Sequence, residues 1–104
     1  MVVVLGSAVI REGQWDQALT LSQEHVVRSR AEPGCLAHAV HQDTEHARRL
    51  VFVEQWESQA ALWQHFSVQA SRSFAKALGA LATEPPQMTI YEAAPVQVPG
   101  RSAA

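Results

Sequence analysis

Cysteine is nearly absent from this chain of 104 residues, and the one thiol, Cys35, excludes an internal disulfide. A lone thiol suits a reducing cytoplasm, which is the expected location. Charge is also sparse, at 17% Asp, Glu, Lys and Arg with a net −2 at pH 7. The eight Lys and Arg form no basic stripe, which excludes a nucleic-acid surface. No long apolar run is present either. The opening "MVVVLGSAVI" is about half of the ~20 residues that cross a bilayer, and no basic stretch precedes it. It reads as a strand, not as a signal peptide or membrane span. Internal repeats and low-complexity tracts are missing too. What remains is a globular chain, 47% apolar. At this size folding buries only roughly 60–70% of the unfolded surface, so a partner chain is expected.

The order of elements follows from periodicity. β-Branched residues fill Val2–Ile10, and Arg11-Glu12-Gly13 signals a turn. From Gln14 the period becomes helical, with Trp15, Leu19, Ser22 and Val26 in one stripe and Ala18 and Leu21 beside it. Pro33 and Gly34 end that helix. "CLAHAVHQD" then reads as a strand, with Leu36, His38 and Val40 on one face and Cys35, Ala37, Ala39 and His41 on the other. The polar "QDTEHARR" is a hairpin connection and "RLVFVEQW" the return strand. Ser58 is the expected N-cap of a second, continuous helix carrying Leu62, Phe66, Phe74, Leu78 and Leu81 inward. "TEPPQ" breaks it, and "MTIYEAAPV" is a last strand. This βαββαβ order predicts an α+β, ferredoxin-like fold: a four-stranded antiparallel sheet with both helices on one face. A single domain is expected over residues 1–96, with a flexible C-terminal tail over 97–104.

The strands carry one further message. An antiparallel sheet with one wet face should alternate apolar and polar residues. Here Leu50 and Phe52 point one way while Val51 and Val53 point the other, and Val2–Leu5 is apolar on both faces. The helices cover one face only. A second copy of the sheet, packed roughly 10 Å away, covers the other. A homodimer through sheet faces is therefore expected.

The chemistry-bearing residues gather near the end of the third strand. Glu54 is a carboxylate in an inward strand position beside Phe52, where it needs a partner such as His38 across the hairpin or a wet pocket. Trp56 is either a core anchor or the cap of a pocket, able to stack on a planar ring and donate its indole N–H. His65 lies on the helix face toward the sheet, as a general base or as a packed histidine. Tyr91 on the final strand lines a pocket or the barrel rim. Trp15 and Trp63 are expected to pack, Cys35 to be buried and inert, and His41 and His46 to be solvated. His38, His41, His46 and His65 have no compact ligand spacing, so neither a metal nor another cofactor is expected.

"EPGCLAHAV", "RRLVFVEQWESQAALWQHF" and the late "MTIYEA" together resemble the antibiotic biosynthesis monooxygenase domain family, from about Val2 to about Ala94. The resemblance implies a dimeric α/β barrel and, for part of the family, cofactor-independent oxidation of a quinol or polyketide-type aromatic by dioxygen. It implies His65 as the catalytic base, with Trp56, Glu54, His38, Phe52 and Tyr91 around a small aromatic substrate. The chain departs from the family where many members carry Pro-His-Phe and this sequence has Gln69-Ala70-Ser71. That departure favours the alternative, a non-catalytic small-molecule-binding or structural dimer of the same fold.

Overall fold

Four strands pair antiparallel in the order β2-β3-β1-β4 in the computed structural model, which describes residues 1–100. They are β1 (Val2–Val9), β2 (Cys35–Asp43), β3 (His46–Trp56) and β4 (Gln87–Glu92). Helix α1 (Trp15–Arg30) joins β1 to β2, while α2 (Gln59–Ser67) and α3 (Gln69–Leu81) join β3 to β4. The ferredoxin-like order read from periodicity is present. Residues 101–104 of the expected tail lie outside the described residues.

The second helix is not continuous. Val68 adopts extended backbone (φ −67°, ψ 129°) and ends α2 and begins α3 at once. Ser67 and Val68 are weak helix formers, and the Ser67 hydroxyl donates to the Gln64 carbonyl at 2.6 Å, competing with the backbone ladder. No loop intervenes, because the Arg72 amide already donates to the Val68 carbonyl at 3.1 Å. The single stripe from Leu62 to Leu81 is thus two stripes on two axes. Ser58 caps α2 as expected, its hydroxyl accepting from the Ala61 amide at 3.1 Å.

The break divides the core. Val2, Val4, Trp56 and Leu62 form one buried cluster, joined by Cys35, Ala61 and Phe66. Ala8, Ile10, Ala18, Leu50, Phe52, Phe74 and Leu78 form the other. Between them the inward row of β3 runs Leu50, Phe52, Glu54, Trp56, all buried. The apolar row is interrupted once, by a carboxylate.

A register shift between Cys35 and Ala37 alters the expected faces of β2. Cys35 pairs with Trp56 and turns inward, half-buried where full burial was expected, and Leu36 at the bulge is exposed. Beyond the bulge His38 and Val40 face inward, opposite Glu54 and Phe52. Trp15 packs on the larger cluster, whereas Trp63 is half-exposed on the outside of α2. The outer sheet face carries Val3, Leu5, Val51 and Val53 with no helix over them; Leu5 is 45% exposed.

One glycine in this frame is required by geometry. Gly34 turns the chain from α1 into β2 at φ +82°, and a Cβ there would lie 2.6 Å from the Ala61 Cβ. Its carbonyl also accepts from the Glu57 amide at 2.8 Å. Gly34→Ala combines left-handed backbone strain with a clash against α2, so it should cost about 2–4 kcal/mol. Urea unfolding checks this; a loss below about 0.5 kcal/mol would contradict the geometry.

Candidate active site

The interruption in the β3 row organises the site. Burial pushes the Glu54 carboxyl upward, but the neighbouring His38 and Trp56 outweigh it and hold the group below the usual carboxylate range. The Trp56 indole N–H donates to Glu54 Oε1 at 2.9 Å. His38 Nε2 lies 3.3 Å from the same oxygen. That contact is an ion-pair approach rather than a well-aligned hydrogen bond, and His38 Nδ1 is buried with no hydrogen-bond partner. The cross-hairpin register placed this pair: His38 sits directly opposite Glu54.

The wall over Glu54 comes from the helices. On α1, Ser22, His25 and Ser29 form a buried polar line along an otherwise apolar face. His25 stacks on Phe74 of α3 with ring centroids 3.9 Å apart and planes 6° apart. Burial, followed by the nearby His38 and His65, depresses the His25 pKa to about 3, so this imidazole is neutral at physiological pH. His65, buried in the last turn of α2, places Nδ1 2.8 Å from Glu32 Oε1. The carboxylate accepts, so Nδ1 carries a proton; in the neutral imidazole the lone pair then lies on Nε2. Ser71 at the start of α3 sits 3.5 Å from the same nitrogen, and Trp56 packs against the ring at 4.6 Å.

A cavity of about 450 Å³ opens between the sheet and α3. Its deep lining is His25, Phe52, Glu54, His65, Phe74 and Leu78, and Arg72, Gln87 and Met88 are exposed at its mouth. Gly6, on the inward face of β1, contributes floor without a side chain. Such a space falls in the range of small-ligand pockets, mostly apolar with a few convergent polar groups.

Of the residues singled out in the sequence, His65, Glu54 and Phe52 line this cavity. His38 and Trp56 stand behind it and hold Glu54. Tyr91 does not reach it: it pairs with Val3 on the outer face of the sheet and is 49% exposed. Sequence reasoning missed His25 and Glu32. His25 left a signal, as a polar residue one turn after Ser22 in the stripe of α1. Glu32 left none, because its contact spans 33 residues. The absence of compact histidine spacing pointed away from a metal, yet three imidazoles converge from three elements. One ligand atom each from His25, His38 and His65 lie within 4.8 Å of one another.

A neutral buried histidine makes stability depend on pH. His25 titrates near 3 when folded and near the ordinary ~6.5 when unfolded, so the unfolded chain binds the proton first. Its contribution is intact above about pH 6.5 and is lost as pH falls from there toward 3, by up to about 1.4 kcal/mol per pH unit. His25→Phe keeps the stack on Phe74 and removes the titration. Urea midpoints from pH 7 to pH 4 should therefore fall less steeply in this variant; parallel curves would contradict the assignment.

The antibiotic biosynthesis monooxygenase family model matches residues 1–77. An uncharacterized protein of Synechocystis sp. is 29% identical over 96 residues, covering 92% of this chain but 65% of its own length, so the chain spans less than two thirds of that relative. A crystal structure of an antibiotic biosynthesis monooxygenase superposes with TM-score 0.84 at 27% identity, covering 91% of this chain and 100% of its own. A Pseudomonas aeruginosa protein superposes with TM-score 0.79 at 26% identity, over 89% of this chain and 94% of its own. A Deinococcus radiodurans protein, at 24% identity and TM-score 0.89 over 96% of this chain and 100% of its own, shares the fold. With its strand order, its Glu54-x-Trp56 run and a family match over most of its length, the chain belongs to the antibiotic biosynthesis monooxygenase family.

Proposed function

We propose that this protein is a cofactor-independent monooxygenase that oxidises an electron-rich aromatic, a quinol or a polyketide-type phenol, with dioxygen. The observation that carries the reading is the Glu32–His65 pair on the wall of a mostly apolar cavity. Glu32 holds the Nδ1 proton, so His65 Nε2 is available to take a phenolic proton. The resulting electron-rich anion passes an electron to dioxygen. For an anthrone-type methylene, one oxygen atom ends on carbon as a carbonyl and the other leaves as water with the two displaced hydrogens. Electrons come from the substrate, and the protein supplies orientation, a dry pocket and one base. Phe52 and Phe74 offer apolar surface to a planar ring, and the exposed Arg72 favours an anion entering the mouth.

His65→Ala should lower oxygen uptake with the best of a panel of hydroquinones and anthrones by ~10²–10⁴-fold, the usual cost of losing a general base. His65→Gln, which keeps size and hydrogen bonding, should be nearly as inactive. Glu32→Gln removes only the orienting charge, so its larger effect should be on kcat rather than KM. Oxidation at close to the wild-type rate by both His65 variants would defeat the assignment. A wild type that oxidises no member of the panel would favour the binding-module reading, for which the missing Pro-His-Phe speaks.

We also propose that the working unit is a homodimer joined through outer sheet faces. The uncovered Val3, Leu5, Val51 and Val53, with Tyr91 at the side, support it. An interface of this kind should bury more than about 1,000 Å². Val53→Asp places an unpaired carboxylate at its centre, opposite Leu5 and Ala39. Sedimentation should give a dimer for the wild type and a monomer or unfolded chain for Val53→Asp. A wild-type monomer at micromolar concentration would refute the assembly.

A further inference from the structure

Two further imidazoles meet His65 at positions the proposed oxidation does not use. His25 comes from α1, His38 from β2 and His65 from α2, and all three are buried. His25 Nδ1 and His38 Nδ1 are buried with no hydrogen-bond partner, and His38 Nε2 has only the 3.3 Å contact with Glu54 Oε1. Buried imidazole nitrogens left this way are costly and ask for a ligand. His65 is arranged differently and to the same end. Its Nδ1 is held at 2.8 Å by Glu32, the arrangement in which a carboxylate orients a metal-binding imidazole and leaves Nε2 to the ion.

The spacing fits an ion. Three imidazole nitrogens around a zinc-like centre at 2.0–2.1 Å stand about 3.4 Å apart, which puts their ring centroids about 5.2 Å apart. The observed centroids are separated by 5.2 Å for His25–His38, 5.4 Å for His25–His65 and 5.7 Å for His38–His65. One ligand nitrogen from each lies within 4.8 Å of the others, so binding would draw the three rings inward around the ion. Glu54, whose Oε1 is 3.3 Å from His38 Nε2, adds a negative charge beside the centre.

We infer that His25, His38 and His65 form a site for one borderline divalent cation such as Zn²⁺, with a coordination position left open toward the cavity. Nitrogen donors of this kind suit Zn²⁺, Co²⁺, Ni²⁺ and Cu²⁺ over Mg²⁺ or Ca²⁺. Binding stands apart from the proposed oxidation. Its effect on turnover rests on that reading: an ion on His65 Nε2 takes the lone pair that the base needs, so a filled site is an inhibited oxygenase.

Binding is tested with Co²⁺ and Zn²⁺ on metal-free wild-type protein without aromatic substrate, and inhibition separately by oxygen uptake with the quinol and anthrone panel, with and without Zn²⁺. Co²⁺ should bind one per chain with visible ligand-field bands, and Zn²⁺ should displace it. His25→Phe and His38→Phe should each weaken Co²⁺ binding by more than the ~10–100-fold lost with a group that only orients a ligand, and Glu32→Gln by about that amount. Replacing His41 and His46 together by Asn should change nothing. Because a core variant can fail to fold, the wild type is also followed by NMR, where Zn²⁺ should shift the imidazole signals of His25, His38 and His65 but not those of His41 and His46. No one-per-chain binding, or shifts confined to His41 and His46, would overturn the site. Tight binding that leaves oxygen uptake untouched would overturn only its inhibitory role, and absence of any oxidation would bear on the proposed reaction and not on the site.

Discussion

A buried carboxylate in an apolar strand is the constraint on which this molecule turns. Glu54 takes the place where Leu50, Phe52 and Trp56 would otherwise continue as an unbroken apolar row. Desolvating a charge is costly unless donors surround it, so the residues next to it are not free to be apolar. Trp56 supplies an indole N–H from two residues along the strand, and His38 comes up from the neighbouring strand. Once His38 is buried there, the helices above meet polar atoms, and His25 and His65 occupy those positions. The two apolar clusters on either side stabilise the fold, and the polar band between them forms one wall of the cavity.

What the sequence shows and what it hides divide along the range of the interactions. Strands and α1 are legible because alternation and the 3.6-residue period are local properties of the chain. The pairing of Glu54 with His38 is legible because a hairpin brings them together and a buried carboxylate must find a partner. The break at Val68 is hidden, since the apolar spacing continues across it and only backbone competition by Ser67 marks the site. The bulge at Leu36 is hidden for a related reason: an extra residue in one strand leaves no mark on composition, yet it turned Cys35 inward and Leu36 outward. The Glu32–His65 and His25–His38–His65 contacts depend on how three elements stack. No window along the chain contains them. Tyr91 was misplaced by the same mechanism, because the face of an edge strand is set by its pairing with β1 and not by its own alternation.

The family provides the frame, and the polar band is built within it. Glu32, His38, Glu54, Trp56 and His65 all belong to the stretches on which the resemblance rests. His25 sits on α1 outside them. Glu32 holds a proton on Nδ1 of His65, and His25 places another imidazole beside it. In the proposed reading, His65 Nε2 is the point at which proton transfer and cation binding exclude one another.

The joint at Val68 assigns the two sides of the cavity to different folding units. His65 belongs to α2, whose anchor Leu62 is packed with Val2, Val4 and Trp56. Phe74 and Leu78 belong to α3 and are locked into the opposite cluster. Local opening follows units that share contacts, so the boundary between them is where the molecule yields first. The width of the cavity can therefore change by a swing of one helix against the other about a single extended residue, with each cluster still closed. A pocket joined this way has a route to change its width that leaves both apolar clusters packed.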